Sequence, residues 1–146
     1  MAAISRVGIV AKPQLEEVAT HLEQTAAWLE ARRIEPVFEA NTAGLGRVGA
    51  GRRSASRDEL PRLVDLLLVF GGDGTFLAVA DRVAESGRDI PILGVNFGHL
   101  GFLTEVAWTG MFASLEAAIA GEAAFDHRLV IRASVRRSGL ETARRF

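Results

Sequence analysis

Short apolar runs alternate with longer amphipathic segments along residues 1–125, which is the pattern of βαβ units. Apolar runs at 7–10, 66–70 and 90–95 predict strands, and a further short strand is expected at about 36–39. Every position of 66–70 is apolar, and such a run indicates a strand buried on both faces, as in a parallel sheet.

Three segments around these strands carry apolar residues at helical spacing. The second of them begins after Thr75 and ends at Gly87, and the third covers 111–120 and ends at Gly121. The first opens at Pro13, and its apolar positions are Leu15, Val18, Ala19, Leu22, Ala26 and Leu29. Because strands and helices alternate, we predict an α/β fold with an open, mostly parallel, Rossmann-like sheet and helices on both faces.

Residues 41–60 are rich in glycine and arginine and have no apolar period, so they predict a loop. Gly44, Gly46 and Gly49 match the G-x-G-x-x-G fingerprint of dinucleotide-binding folds. That fingerprint must open a helix that packs on a strand, whereas the residues that follow here have no apolar face. We therefore interpret this segment as a plain loop.

The pattern changes near Phe125. Alternate positions between 127 and 137 are apolar, which predicts a half-buried strand of a different kind of sheet. The apolar positions are Leu129, Ile131, Ala133 and Val135. We expect residues 1–125 to form an N-terminal α/β nucleotide-binding domain and residues 126–146 to be the start of an incomplete C-terminal β domain.

The composition excludes cysteine-based sites and argues against several kinds of partner and against a histidine metal site. The 146 residues include no cysteine, which excludes disulfides, thiolate metal sites and cysteine nucleophiles and fits a cytoplasmic protein. Seventeen basic and eighteen acidic residues give a net charge of -1, so neither nucleic acid nor a membrane is expected as a partner. His21, His99 and His127 have no metal-ligand spacing, and no metal site built by the protein is predicted.

Two glycine-containing turns follow two of the predicted strands. Residues 71–75 come directly after Phe70, and residues 96–104 come directly after Val95. The carboxyl ends of parallel strands lie at one edge of a sheet, where ligands of such folds bind. The two turns are therefore expected to converge on one site.

The first turn reads Gly71-Gly72-Asp73-Gly74-Thr75. Its glycines allow a ligand close to the backbone, and amides at the start of a helix form a natural phosphate site. Thr75 is placed to cap that helix or to bind a phosphate oxygen. A carboxylate is electrostatically unfavourable in a phosphate site unless it has a function. Asp73 is therefore expected to act either as a general base or as a ligand of a metal carried by a nucleotide. The alternative role for Asp73 is a helix cap.

The second turn offers an amide and an apolar lining. Asn96, at the end of its strand, is placed to hold a neighbouring loop or a substrate hydroxyl. Phe102 and Leu103 are apolar residues within a bend, so they either line a pocket for a flat base or fill the core beneath the loop. His99 is interpreted as structural or solvent-facing, and Leu100 as a core residue.

Together, the segments Gly71 to Phe76 and Asn96 to Thr104 resemble NAD kinases of the bacterial ATP-dependent kind. Gly-Gly-Asp-Gly alone also occurs in diacylglycerol and sphingosine kinases. The pattern Asn-x-Gly-x-Leu-Gly-Phe-Leu is much more specific, and Gly8-Ile9-Val10 also fits the start of this family.

This resemblance implies transfer of the γ-phosphoryl group of ATP to the 2′-hydroxyl of the adenosine ribose of NAD, giving NADP. It implies that Asp73 is the general base, while ATP carries the divalent ion, usually magnesium. It also implies a homo-oligomeric enzyme. The residues that the resemblance implies for binding NAD and nucleotide are Gly72, Asp73, Gly74, Thr75, Asn96, Phe102 and Leu103.

Members of the family continue into a second, mostly β domain that contains an Asn-Asp or Asn-Glu pair. No such pair follows Thr104 here, so we expect an N-terminal fragment with little or no activity alone. Two other functions stay open at this point: a non-catalytic nucleotide-binding module, and a lipid kinase of the diacylglycerol or sphingosine type.

Overall fold

The computed structural model describes residues 3–12, 18–98, 101–137 and 140–145. Its strands are β1 (Arg6–Ala11), β2 (Glu35–Glu39), β3 (Arg53–Ala55), β4 (Leu66–Phe70), β5 (Ile92–Asn96), β6 (Val106–Ala107), β7 (Arg132–Arg137) and β8 (Leu140–Arg145). Its α-helices are α1 (Val18–Glu30), α2 (Ala40–Ala43), α3 (Leu60–Leu63), α4 (Asp73–Ser86) and α5 (Met111–Ala120). The predictions made for Pro13, Leu15, His99 and Leu100 lie outside the described residues.

Six strands form one sheet in the order β3-β2-β1-β4-β5-β6, and every neighbouring pair is parallel. The chain therefore adds strands outward from β1 on one side and then continues from β4 on the other. The open, parallel, Rossmann-like sheet predicted from the sequence is confirmed.

Strand β4 shows why the sheet is covered on both faces. All five of its residues are buried. Leu66, Leu68 and Phe70 pack in the core that contains residues of α1 and α5. Leu67 and Val69 pack in the opposite core, which contains residues of α3 and α4. The predicted helices on both faces are thus confirmed, and α1 and α4 lie on opposite faces.

The helices follow the predicted spacing. Helix α1 buries Val18, Leu22, Ala26 and Leu29, and the hydroxyl of buried Thr25 donates to the carbonyl oxygen of His21 at 2.7 Å. Helices α4 and α5 end at Gly87 and Gly121, whose φ values of 71° and 76° are left-handed. Glycine is favoured there because it has no Cβ. Among the described residues, we find no helix with both the length and the apolarity needed to cross a membrane.

The prediction of a plain loop at 41–60 is wrong. This segment contains α2, a 3-10 turn at Leu45–Arg47 and the edge strand β3. Helix α2 forms because buried Glu39 accepts a hydrogen bond from the Thr42 amide at 3.0 Å and caps the helix. The fingerprint glycines open no long helix, since the next one, α3, has only four residues.

Arg52 fastens this segment to helix α1. Its guanidinium donates to Glu23 and Glu30, which lie on the same face of α1 about two turns apart, at 2.7 Å each. It also donates to the carbonyl oxygen of Val48 at 2.9 Å. The arginine side chain is largely buried, whereas both glutamates are about half exposed. Charge-assisted hydrogen bonds from one planar cation therefore add to the apolar contact that buried Val48 makes with the core.

The strand predicted over 127–137 is confirmed in its second half, in a different kind of sheet, but its start at 127 is wrong. The strand begins at Arg132 and pairs in antiparallel register with β8, in a second, two-stranded sheet. Leu129 is 97% exposed and Ile131 is 69% exposed. Alternation alone did not make residues 127–131 a strand because the described residues offer them no partner strand.

Replacement of Arg52 tests how the 41–60 segment is held. We expect Arg52→Ala to lower the free energy of unfolding by about 1 kcal/mol in low salt, since the glutamate partners are solvent-screened. In about 1 M salt the loss should shrink. Chemical denaturation at both salt concentrations measures it, with exposed Arg53→Ala in β3 as the matched control. Equal losses for the two variants would contradict this role of Arg52.

Candidate functional site

Both glycine turns lie at the carboxyl edge of the parallel sheet. Strands β4 and β5 are neighbours, and the amide of Gly71, directly after β4, donates to the carbonyl oxygen of Val95 in β5 at 2.9 Å. The turn after β4 leads into α4, and the turn after β5 leads to Thr104. The predicted convergence of the two turns is therefore observed.

The carboxylate of Asp73 joins the two turns. Its Oδ2 accepts a hydrogen bond from the Phe102 amide at 2.9 Å. Its Oδ1 accepts from the Leu103 amide at 3.0 Å and from the amide and hydroxyl of Thr104, both at 3.2 Å. Asp73 is the first residue of α4, yet none of these donors belongs to that helix. The alternative role of Asp73 as a helix cap is therefore wrong, because its carboxylate holds the second turn.

These donors change the acidity of Asp73. The Phe102 amide, followed by the Leu103 amide, lowers the pKa of Asp73 below its ordinary value of 3.8 because both stabilise the charged form. Partial burial acts in the opposite direction but is outweighed. At neutral pH the carboxylate is therefore ionised and is a weak base, suited to orienting a hydroxyl.

Asn96 and Thr104 extend this network. The Oδ1 atom of Asn96 accepts from the Gly98 amide at 2.8 Å, and its Nδ2 atom donates to the Thr104 hydroxyl at 3.1 Å. Thr104 is fully buried. Thr104 is a site residue that the sequence analysis misses, although a polar residue at the end of a glycine-rich apolar motif is a signal that could identify it.

Glycines make this close approach possible. A Cβ atom on Gly101 would overlap with the Asp73 carboxylate, so this position requires glycine. On Gly71, a Cβ would stand 2.8 Å from the Thr75 hydroxyl. A Cβ on Gly72 or Gly74 would meet nothing within 4 Å, so the first turn is open on that side to the extent that the described residues show.

The second turn contains two aromatic rings, of which Phe102 is exposed and Phe97 packs against other rings. The side chain of Phe102 is 88% exposed beside Asp73, whereas Leu103 is partly buried. Phe97 lies in an aromatic cluster with its ring centroid 5.7 Å from Trp108 and 5.8 Å from Phe70. The anchored ring holds the start of the turn, and the exposed ring leaves an aromatic surface for a ligand.

The first turn has features that suit a phosphate chain. Helix α4 begins after Gly72 with no side-chain cap, so its first amides are not satisfied by a capping side chain. The amide of Lys12 donates to the carbonyl oxygen of Phe70 at 2.9 Å, which brings the end of β1 beside this turn. Among the residues with described positions, no group of three or more histidines and carboxylates is placed to hold a metal ion.

Both turns lie in the part of the chain that matches a known protein family. The family model described as the ATP-NAD kinase N-terminal domain matches residues 7–123, which include both turns. The chain is 40% identical to an NAD kinase of Syntrophotalea carbinolica over 141 residues, 97% of this chain and 48% of that protein. It is also 40% identical to an NAD kinase of Geobacter metallireducens over 137 residues, 92% of this chain and 45% of that protein.

A solved structure supports the fold. A yeast NADH kinase, crystallised with NADH, superposes with a TM-score of 0.81 at 16% identity and covers 99% of this chain and 47% of that one. The chain thus spans about half the length of the curated relatives that it matches.

The hydrogen bonds to Asp73 predict a particular acid titration. Since the pKa of Asp73 is lowered in the folded state, the carboxylate holds the second turn fully above about pH 3.8. These hydrogen bonds to the carboxylate are lost only as the pH falls through the lowered pKa of Asp73. We expect the NMR signals of the Asp73 carboxyl carbon and of the Phe102, Leu103 and Thr104 amides to titrate together below pH 3.8. A common midpoint above that pH would contradict the hydrogen-bonded arrangement.

Proposed function

The chain belongs to the ATP-NAD kinase family, and from this premise we propose that it provides the site where NAD is phosphorylated. The proposed reaction transfers the γ-phosphoryl group of ATP to the 2′-hydroxyl of the adenosine ribose of NAD, giving NADP. The observation that carries the proposal is the Asp73 carboxylate, which joins the glycine turn after β4 to the turn after β5.

In this proposal the Asp73 carboxylate accepts a hydrogen bond from the acceptor hydroxyl of NAD and acts as its general base. The hydroxyl oxygen forms a bond to the γ-phosphorus, the bond from that phosphorus to the bridging oxygen breaks, and ADP leaves. The proton of the hydroxyl passes to the Asp73 carboxylate. Phosphoryl transfer depends on positioning and charge stabilisation more than on a strong base, so an aspartate of lowered pKa is adequate for it.

The exposed ring of Phe102 is proposed as the platform for the adenine. Its amide already donates to Asp73, so an adenine on this ring would have its ribose near the carboxylate. Leu103 would border the same pocket, and Asn96 would hold the turn through Thr104 and Gly98. This arrangement explains why a single chain segment carries both the ring and the amides.

The open glycine turn is proposed as the place for the phosphates. The amides of Gly72 and Gly74, with the Thr75 hydroxyl, are the groups that would meet phosphate oxygens there. Magnesium would arrive bound to ATP and would neutralise charge on the phosphates. As the family resemblance implies, we also propose a homo-oligomeric enzyme in the cytoplasm.

Substitution of Asp73 tests the proposal. In the natural polypeptide that carries this sequence, we expect Asp73→Asn to lower kcat for NADP formation by about 10²- to 10⁴-fold, the usual range for a lost acid–base group. Binding of NAD to the chain should weaken as well, because an amide nitrogen would face the donors of the second turn. Coupled assay of NADP and titration calorimetry measure the two effects.

Asp89→Asn is the matched control, since Asp89 is an exposed aspartate away from both turns. It should leave kcat and NAD binding unchanged. Undiminished NADP formation by Asp73→Asn would contradict the proposed role of Asp73. Saturable NAD binding without NADP formation by the unaltered natural polypeptide would favour a non-catalytic nucleotide-binding module.

A further inference from the structure

The two oxygens of the Asp73 carboxylate carry unequal numbers of hydrogen bonds. Oδ1 accepts three, from the Leu103 amide and from both the amide and the hydroxyl of Thr104. Oδ2 accepts one, from the Phe102 amide. A carboxylate oxygen has about two lone-pair positions. Oδ1 is therefore saturated, and Oδ2 has one acceptor position left.

Thr104 supplies two of the three donors to Oδ1, and its neighbours fix the direction of its hydroxyl. Since the Gly98 amide is a donor, the Asn96 atom that faces it at 2.8 Å must be the oxygen. The Nδ2 atom of Asn96 then donates to the Thr104 hydroxyl at 3.1 Å. The hydroxyl accepts on that side, so its single proton points to Oδ1 of Asp73.

The surroundings of the carboxylate differ on its two sides. Gly101 packs so tightly on Asp73 that a Cβ would overlap with it, and the overlap would be greatest with Oδ1. Gly72 and Gly74, on either side of Asp73 in the chain, leave open space where their Cβ atoms would stand. A ligand therefore has access from the glycine turn but not from the side of Gly101.

Resting on the function proposed above, we propose that Thr104 is a positioning residue for phosphoryl transfer. It fixes Oδ1 of Asp73 within the second turn, so that Oδ2 is the atom that accepts the hydrogen bond, and then the proton, of the acceptor hydroxyl. The bonds to phosphorus form and break as described above. Thr104 itself touches neither substrate.

A first test uses the chain alone and does not depend on activity. Thr104→Val keeps the shape of the buried side chain but removes the hydroxyl donor to Oδ1. Carbon-13 NMR of the Asp73 carboxyl should then show a titration midpoint at higher pH, because one donor to the charged form is lost. Thr104→Ser keeps the hydroxyl and should restore the midpoint. An unchanged midpoint in Thr104→Val would overturn the inference.

A second test measures kinetics in the natural polypeptide that carries this sequence. We expect Thr104→Val to lower kcat about tenfold, the value of one hydrogen bond to a charged group, and to move the acid limb of the pH profile upward. Thr104→Ser should recover both, even if its melting temperature falls. Thr109→Val, the same change at an exposed threonine, should alter neither.

The outcomes separate this inference from the proposed function. If Thr104→Val only lowers the melting temperature and leaves kcat and the acid limb unchanged, Thr104 is a packing residue and the inference fails. If the carboxyl midpoint shifts as expected but no variant or unaltered protein makes NADP, the arrangement of Asp73 holds and the proposed function fails. A complex with NAD in which the ribose hydroxyl meets Oδ1 instead of Oδ2 would also overturn the inference.

Discussion

The candidate site depends on one carboxylate that belongs to the first turn and is satisfied by the second. Asp73 stands at the start of α4, but its hydrogen bonds come from Phe102, Leu103 and Thr104, about 30 residues further along the chain. Without that charge, three amides and a buried hydroxyl would lack their acceptor. The same contacts leave the aromatic ring of Phe102 exposed beside the carboxylate. The contacts that hold the second turn therefore also place the Phe102 ring next to the carboxylate.

The fold makes this contact possible through strand order. Because β4 and β5 are parallel neighbours, their carboxyl ends bring the two turns together. β1 and β4 are also neighbours, and α1 and α4 cover opposite faces, so the direction of strand addition reverses between these two strands. Open α/β sheets bind ligands beside such a reversal, at the carboxyl ends of the strands. Gly101 then removes the Cβ atom that would overlap with the carboxylate, whereas Cβ atoms on Gly72 and Gly74 would meet nothing within 4 Å.

The sequence predicted the features that rest on local patterns. Short-range rules predict the buried run Leu66–Phe70 and the glycine ends of α4 and α5. The convergence of the two turns follows from the general rule that parallel strands end at one edge of a sheet. The sequence does not predict the order within 41–60, because Arg52 reaches Glu23 and Glu30 across 29 and 22 residues. The sequence also does not predict that Thr104 bonds to Asp73, or that residues 127–131 form no strand. Each depends on a partner that no local pattern identifies.

We propose that the two turns form one nucleotide site joined by Asp73. The most direct test of this proposal is to titrate the isotope-labelled chain with NAD and follow the backbone amide signals by NMR. We predict that signals of 71–75 and 101–104 shift together with a single dissociation constant, while those of Ser5 and Asp65, which bond to each other at the opposite edge, stay in place. Shifts confined to one turn, or centred on Ser5 and Asp65, would contradict it.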